Sequence, residues 1–161
     1  MPQTTVSNPT IGYAGMRTKR EHSDKTESYL NNLSTAIKLG YGVCIDVASG
    51  NDCVRVPAAS TDLPAGLVWD DQSLEAENVA TGYAQNKPVP VLQRGTGMAV
   101  IEEDVSVNDP VYLRYTDDGA KKKGMFGKTS DGGKNYQITG ARWKADGAVA
   151  DGYAELEISL P

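Results

Sequence analysis

The stretch Gly97 to Tyr115, GMAVIEEDVSVNDPVYLRY, constrains the fold more than any other. Val100 and Ile101, Val105 and Val107, then Val111, Leu113 and Tyr115 supply β-branched and aromatic residues in two runs. The last three alternate with Tyr112 and Arg114, as on a half-buried strand. Between the runs, the side chains of Asn108 and Asp109 can bond nearby backbone, and Pro110 fixes its own φ and lacks an N–H. The chain therefore turns there and a strand starts at Val111. Glu102, Glu103 and Asp104 sit at the hinge; consecutive acids on a strand end point to alternate faces, so a solvated rim is expected.

The same grammar recurs along the chain. Tyr41 to Val47 and Cys53 to Val56 alternate on either side of the turn Ser49-Gly-Asn-Asp52, which reads as a hairpin. Ala65 to Trp69 is a short apolar run, and Pro88-Val-Pro-Val-Leu92 carries two prolines that should confine it to a sheet edge or a strand start. Tyr136 to Ile138, Ala141 to Trp143 and Tyr153 to Leu160 read as strands, the last with Leu156, Ile158 and Leu160 on one face. Thr26 to Leu39 fits both a helical and a strand period, and extended chain with at most a short helix is expected. Many short strands, Gly-rich turns and no convincing amphipathic helix argue an all-β barrel or sandwich.

A chain of 161 residues is one domain by length and can bury roughly 70% of its unfolded surface. It has a single Phe, however, so part of its stability is expected from partner subunits. The net charge of −5 disfavours nucleic acid as a partner. That charge is uneven: Met1 to Leu39 holds five basic and three acidic residues, a net +2, which leaves −7 for the rest. Met1 to Asn8 is polar and Asn8-Pro9 favours extended chain, so this tail should be disordered in isolation. No run approaches the ~20 apolar residues of a membrane span and no leader pattern opens the chain, so a protein made and kept in the cytosol, with no membrane partner, is expected.

Chemistry is hard to find. Cys44, Cys53 and the single His22 cannot build a four-ligand zinc site, and the two thiols are expected reduced and buried. Gly127-Lys128-Thr129 is like the end of a phosphate-binding loop, but the required earlier glycine is Lys122, and the segment Lys121 to Lys134 reads instead as a long basic hairpin loop. His22 lies in a polar run away from any strand-borne Ser or Cys, so no nucleophile has a base. Glu102 to Asp104 lack both the walled-cleft arrangement of a glycosidase and the alternating spacing of a calcium loop. No catalytic residue, cofactor or metal is expected.

The order of features resembles a known family. Gly12-Tyr-Ala-Gly-Met16, Leu39-Gly-Tyr-Gly-Val-Cys-Ile45, Val105-Ser-Val-Asn-Asp-Pro-Val-Tyr-Leu-Arg114, Ile138-Thr-Gly-Ala-Arg-Trp143 and Gly152-Tyr-Ala-Glu-Leu-Glu-Ile158 are similar, in this order, to the structural cement, or capsid decoration, proteins of tailed bacteriophages. The resemblance runs from about Ile11 to Leu160. It implies a compact barrel or β-tulip domain, 40–161, that trimerises on the outer capsid surface, and an extended N-terminal arm, 1–39, that binds the major capsid protein. On this reading Ile11, Tyr13 and Met16 are apolar anchors and Arg17, Lys19 and Arg20 meet acidic coat surface. Asn108, where the family often has Gly, and the Lys-rich segment 121–134 depart from the pattern.

Two functions follow. The first is a virion protein that cements several coat subunits against internal DNA pressure. The alternative is a carbohydrate-binding or adhesive β-module using Trp69, Trp143 and the tyrosines as stacking platforms, although aromatics on β-domains are more often core.

Overall fold

A computed structural model describes residues 13–19, 24–71 and 81–161. The strands are β1 (Arg17–Lys19), β2 (Lys25–Asn31), β3 (Gly42–Ile45), β4 (Cys53–Arg55), β5 (Pro64–Val68), β6 (Pro88–Val100), β7 (Tyr112–Arg114), β8 (Phe126–Gly127), β9 (Asn135–Gln137), β10 (Ala141–Trp143) and β11 (Tyr153–Ser159), with a single 3-10 turn at Val149–Asp151 among the described residues.

The long strand β6 organises everything else. Its first half pairs with β2 on one flank and β5 on the other, and the circuit β6-β2-β4-β3-β5 returns to β6, so five strands close a narrow barrel. All pairings in the ring are antiparallel except β2 with β4. Closure removes most of the edges that an open sheet leaves exposed. Beyond the register shift opposite Lys25 and Thr26, the second half of β6 leaves the ring and pairs with β11, which in turn carries β10, while β1 lies on its other flank. A second sheet, β8-β7-β9, covers this end.

Burial follows from that geometry. β6 sends Val89 and Val91 into the barrel with Val43, Val54, Val68 and Tyr83, and Leu92 to the opposite face. There Leu92 joins Ile101, Leu113, Phe126, Trp143, Leu156 and Ile158 in a second core. Both faces of β6 are therefore buried over Val89–Gln93 and Thr96–Ala99, and its apolar ends, Pro88–Leu92 and Met98–Val100, flank a polar, glycine-containing middle whose Arg94 is exposed.

The hairpin Tyr41 to Val56 is present as β3 and β4, and Leu156, Ile158 and Leu160 are buried on one face of β11. Thr26 to Leu39 is a strand followed by turns and a lone bridge from Ile37 to Tyr83. Cys44 and Cys53 are free and buried.

Three expectations require correction. Pro88 does start a strand, but Pro90 lies in the barrel wall, not on an edge. Its carbonyl accepts from Trp69 N–H (3.2 Å), just past the end of β5 at Val68, and the return bond that a proline cannot give is replaced at Trp69 O by the Tyr83 hydroxyl (3.1 Å). Glu102 is not a solvated rim: its side chain is 1% exposed and ion-paired with the fully buried Arg114. Asp104 and Glu103 are also engaged, accepting from the N–H groups of Val149 (2.7 Å) and of Lys128 and Thr129 (2.8 Å each). The segment Lys121 to Lys134 is not one loop, because it contains β8, whose Phe126 is completely buried.

Candidate functional site

The motifs that suggested a family meet in space. Gly15 of Gly-Tyr-Ala-Gly-Met has φ +78°, and a Cβ there would lie 2.9 Å from Leu39 Cβ and 3.1 Å from Gly40 N. Gly40 of Leu-Gly-Tyr-Gly-Val has φ +75°, and its Cβ would meet Ala14 Cβ and Val100 Cγ2 at 2.9 Å. Two backbones approach here as only glycine permits. The seam is sewn by Gly15 N–H to Met98 O (2.7 Å), Met98 N–H to Met16 O (2.7 Å), Gly40 N–H to Val68 O (2.8 Å) and Asp70 N–H to Gly15 O (2.9 Å). Gly42, two residues on, lets Leu113 of the Asn-Asp-Pro-Val-Tyr-Leu-Arg motif pack against β3, since a Cβ at Gly42 would sit 2.5 Å from Leu113 Cδ1. These motifs are joints of the fold.

Around the seam lie the residues assigned to the arm. Tyr13 is 44% exposed and donates its hydroxyl to Asp70 Oδ2 at 3.0 Å. Partial burial and that carboxylate raise its pKa, which keeps the phenol neutral. Met16 is half-buried. Arg17 forms an ion pair with Asp24 and lies over the Trp69 ring, 5.4 Å from its centroid. Thr18 donates to Glu155 Oε1 at 2.6 Å, and Lys19 pairs its backbone with Thr96. The structure thus brings Tyr13, Met16, Arg17 and Lys19 together along β1 and the turn that leads into it; Ile11 and Arg20 lie outside the described residues, as do His22 and the tail Met1 to Asn8. The sequence reading missed Asp24, Trp69 and Asp70, which hold this strand. An acid seven residues after Arg17 was the only local signal.

Elsewhere the polar groups are committed to the fold. Arg114 Nη2 donates to Glu102 Oε1 (2.9 Å) and Asp131 Oδ2 (2.6 Å), and these partners raise its pKa. A shallow cleft of about 170 Å³ is lined by Val107, Asn108, Arg142, Trp143 and Lys144 and holds no acid or nucleophile. Its Trp143 is 1% exposed, with Nε1 3.4 Å from Pro110 O, so this ring is core and offers no stacking face. Among the described residues no group of three or more His, Cys, Asp or Glu side chains is placed to hold a metal ion.

Comparison with known proteins agrees with this picture of a structural domain. No curated protein matches the sequence. A chain in the solved structure "The capsid of Myoviridae Phage XM1" shares the fold, with a TM-score of 0.73 over 99% of this chain and 98% of that one, at 15% identity. The family model of structural cement proteins (E217 gp24/Pam3 gp6) matches residues 1–159, and the chain belongs to that family.

Proposed function

We propose that the protein decorates the outer surface of a tailed-phage head, where it binds several major coat subunits and holds them against internal DNA pressure. The family makes it a structural protein of the bacteriophage capsid, a role that needs no catalysis. A shell under pressure fails where subunits separate, so a clamp touching several of them raises the cost of separation. If copies act as a trimer, weak contacts at each arm add through effective concentration, and avidity can exceed one contact by ~10²–10⁴.

The observation that carries the reading is the family match over nearly the whole chain, and the seam adds a mechanical reason. Of the arm proposed as 1–39, β1 pairs with β6, the strand that builds the barrel, and β2 is already one of the barrel's five strands. Force on the arm is then transmitted to the core through backbone hydrogen bonds. In this proposal Ile11, Tyr13 and Met16 supply apolar contact and Lys19 and Arg20 charge, while Arg17 holds the strand through Asp24 and Trp69.

The test combines removal of Met1 to Gly12 with Tyr13→Ala, Lys19→Ala and Arg20→Ala, which takes away most of the proposed contacts and keeps the backbone bonds of the seam. The truncated protein should fold, with an unchanged circular dichroism spectrum, and should no longer co-sediment with expanded heads. Heads lacking the protein should release DNA at a lower temperature. Full occupancy by the truncated protein would refute the role of the arm.

A further inference from the structure

Among the described residues the barrel retains an open edge on β2. In β2 the pairing with β6 makes Glu27 opposite Val91 and Tyr29 opposite Val89 the hydrogen-bonded pairs, as the next bond in the series, Asn31 N–H to Lys87 O (3.1 Å), requires. Thr26 and Ser28 must then turn their N–H and C=O groups away from β6. Leu30, in the same phase, does so and gives its N–H to Asp52 O at 2.8 Å, where β4 begins to cover this flank. Upstream of that point β4 is absent. Lys25, Thr26, Glu27 and Ser28 are all exposed, and the outward main-chain groups of Thr26 and Ser28 take no partner among the described residues.

Edges of this kind are normally blocked by proline, a bulge or unpaired charge. β2 has no proline, and its two charges neutralise each other, with Lys25 Nζ 3.0 Å from Glu27 Oε1. The exposed side chains of Thr26 and Ser28 are short, so nothing stands in the way of another backbone.

We propose that this edge receives the N-terminal segment Gln3 to Asn8 of a neighbouring copy as an added strand. The segment, Gln-Thr-Thr-Val-Ser-Asn, is bounded by Pro2 and Pro9, carries three successive β-branched residues and matches the length of the open stretch from Lys25 to Tyr29. Being polar, it gains from main-chain bonds more than from any pocket, which is the mode of recognition by strand addition. The donor is another copy because of reach. The chain enters the seam beside Met98, and six residues of β6, about 20 Å, separate Met98 from Leu92, opposite Thr26. Pro9 to Ala14, between the segment and Gly15, spans at most about 21 Å fully extended, and would have to double back past β1 and cross to the outer side of β2.

The inference concerns contacts between copies and is tested without capsids, so its failure is separable from failure of coat binding. Ser28→Pro removes one outward N–H and no bond to β6, a position where an edge strand accepts proline. Analytical ultracentrifugation of the full chain should show self-association that weakens about tenfold or more in Ser28→Pro and in a variant lacking residues 2–9. Independently, hydrogen exchange should show the Thr26 and Ser28 amides protected in the full chain at high concentration and unprotected in the deletion variant. Self-association that survives the deletion, or amides equally exchangeable in both proteins, overturns the proposal. So would protection of these amides that appears only on heads, which assigns the edge to the coat protein.

Discussion

A single buried cation decides the chemistry of the second core. Arg114 is fully enclosed between Glu102 and Asp131, and Lys121 Nζ is 4.0 Å from Glu102. Removing one member of such a cluster strands the other charge without solvent, so Arg114→Met should lose about 3–5 kcal/mol in denaturant unfolding, and adding Glu102→Gln should recover most of it. A double variant no better than the single one would show that packing, not charge, is at stake. None of this was visible in the acids Glu102 to Asp104, because whether a carboxylate is solvated depends on a partner from another strand. The thiols were easier to read, since a small apolar side chain in an alternating strand has one natural place. Burial pushes the pKa of Cys44 up to about 11, against a contact with the Tyr136 hydroxyl at 3.3 Å that lowers it. A disulfide reagent at neutral pH should therefore leave Cys44 unmodified in the folded protein and label it promptly in denaturant.

At the level of elements, alternation was legible and a barrel was expected, but which strands close it was not legible. The hairpin of β3 and β4 and the apolar face of β11 follow from period-two patterning within a few residues. The pairing of β5 with β6, or of β2 with β4, depends on contacts between distant stretches that no local pattern specifies. Pro90 misled for the same reason: a proline forbids a ladder bond, and only the folded chain brings the Tyr83 hydroxyl to the carbonyl of Trp69 that the bond would have served. The glycines of the seam were noticed as motifs, yet their purpose is steric and appears only when the two backbones are placed together. Gly15→Ala should cost about 1–2 kcal/mol for the left-handed backbone alone, with more from the contact at Leu39 Cβ, and should loosen β1 selectively. Gly42→Ala keeps an ordinary backbone and should cost about 1–3 kcal/mol by overpacking Leu113 and Phe126. Hydrogen exchange separates them: the first should expose the Gly15 amide while the β7 amides stay protected, and the second the reverse.

For the whole molecule, acidic charge is tied to the fold in a way that fixes its response to pH. Glu103 is pushed up by burial, but the N–H groups of Thr129 and Lys128 and the Thr129 hydroxyl outweigh this and hold it below the usual carboxylate range. Asp62 is likewise raised by burial and lowered further by the N–H groups of Ala58 and Ala59 and by Arg55. Asp131 is lowered by its bond to Arg114, and Glu157 by Arg142 and Lys144. Each group binds a proton more weakly in the folded chain than in the unfolded one, where carboxylates titrate near pH 4. The stabilisation is therefore complete above about pH 4 and is lost as pH falls through the lowered folded values. The melting temperature should stay nearly level from neutral pH to about pH 5 and then drop steeply toward about pH 3. Glu103→Gln should melt lower at neutral pH, because a neutral amide oxygen accepts the Lys128 and Thr129 N–H groups less strongly and the amide NH2 cannot accept the Thr129 hydroxyl, and should fall less steeply in acid because one linked proton is gone. A wild-type melting temperature that is level to about pH 3, or a variant as steep as the wild type, would mean that these carboxylates are not linked to folding. Because Glu103 holds Lys128 and Thr129, and Asp131 holds Arg114 of β7, two of these groups fasten the segment 121–134; acid should release that segment first, and the Gly127 and Asn135 amides should lose exchange protection at a higher pH than those of β6.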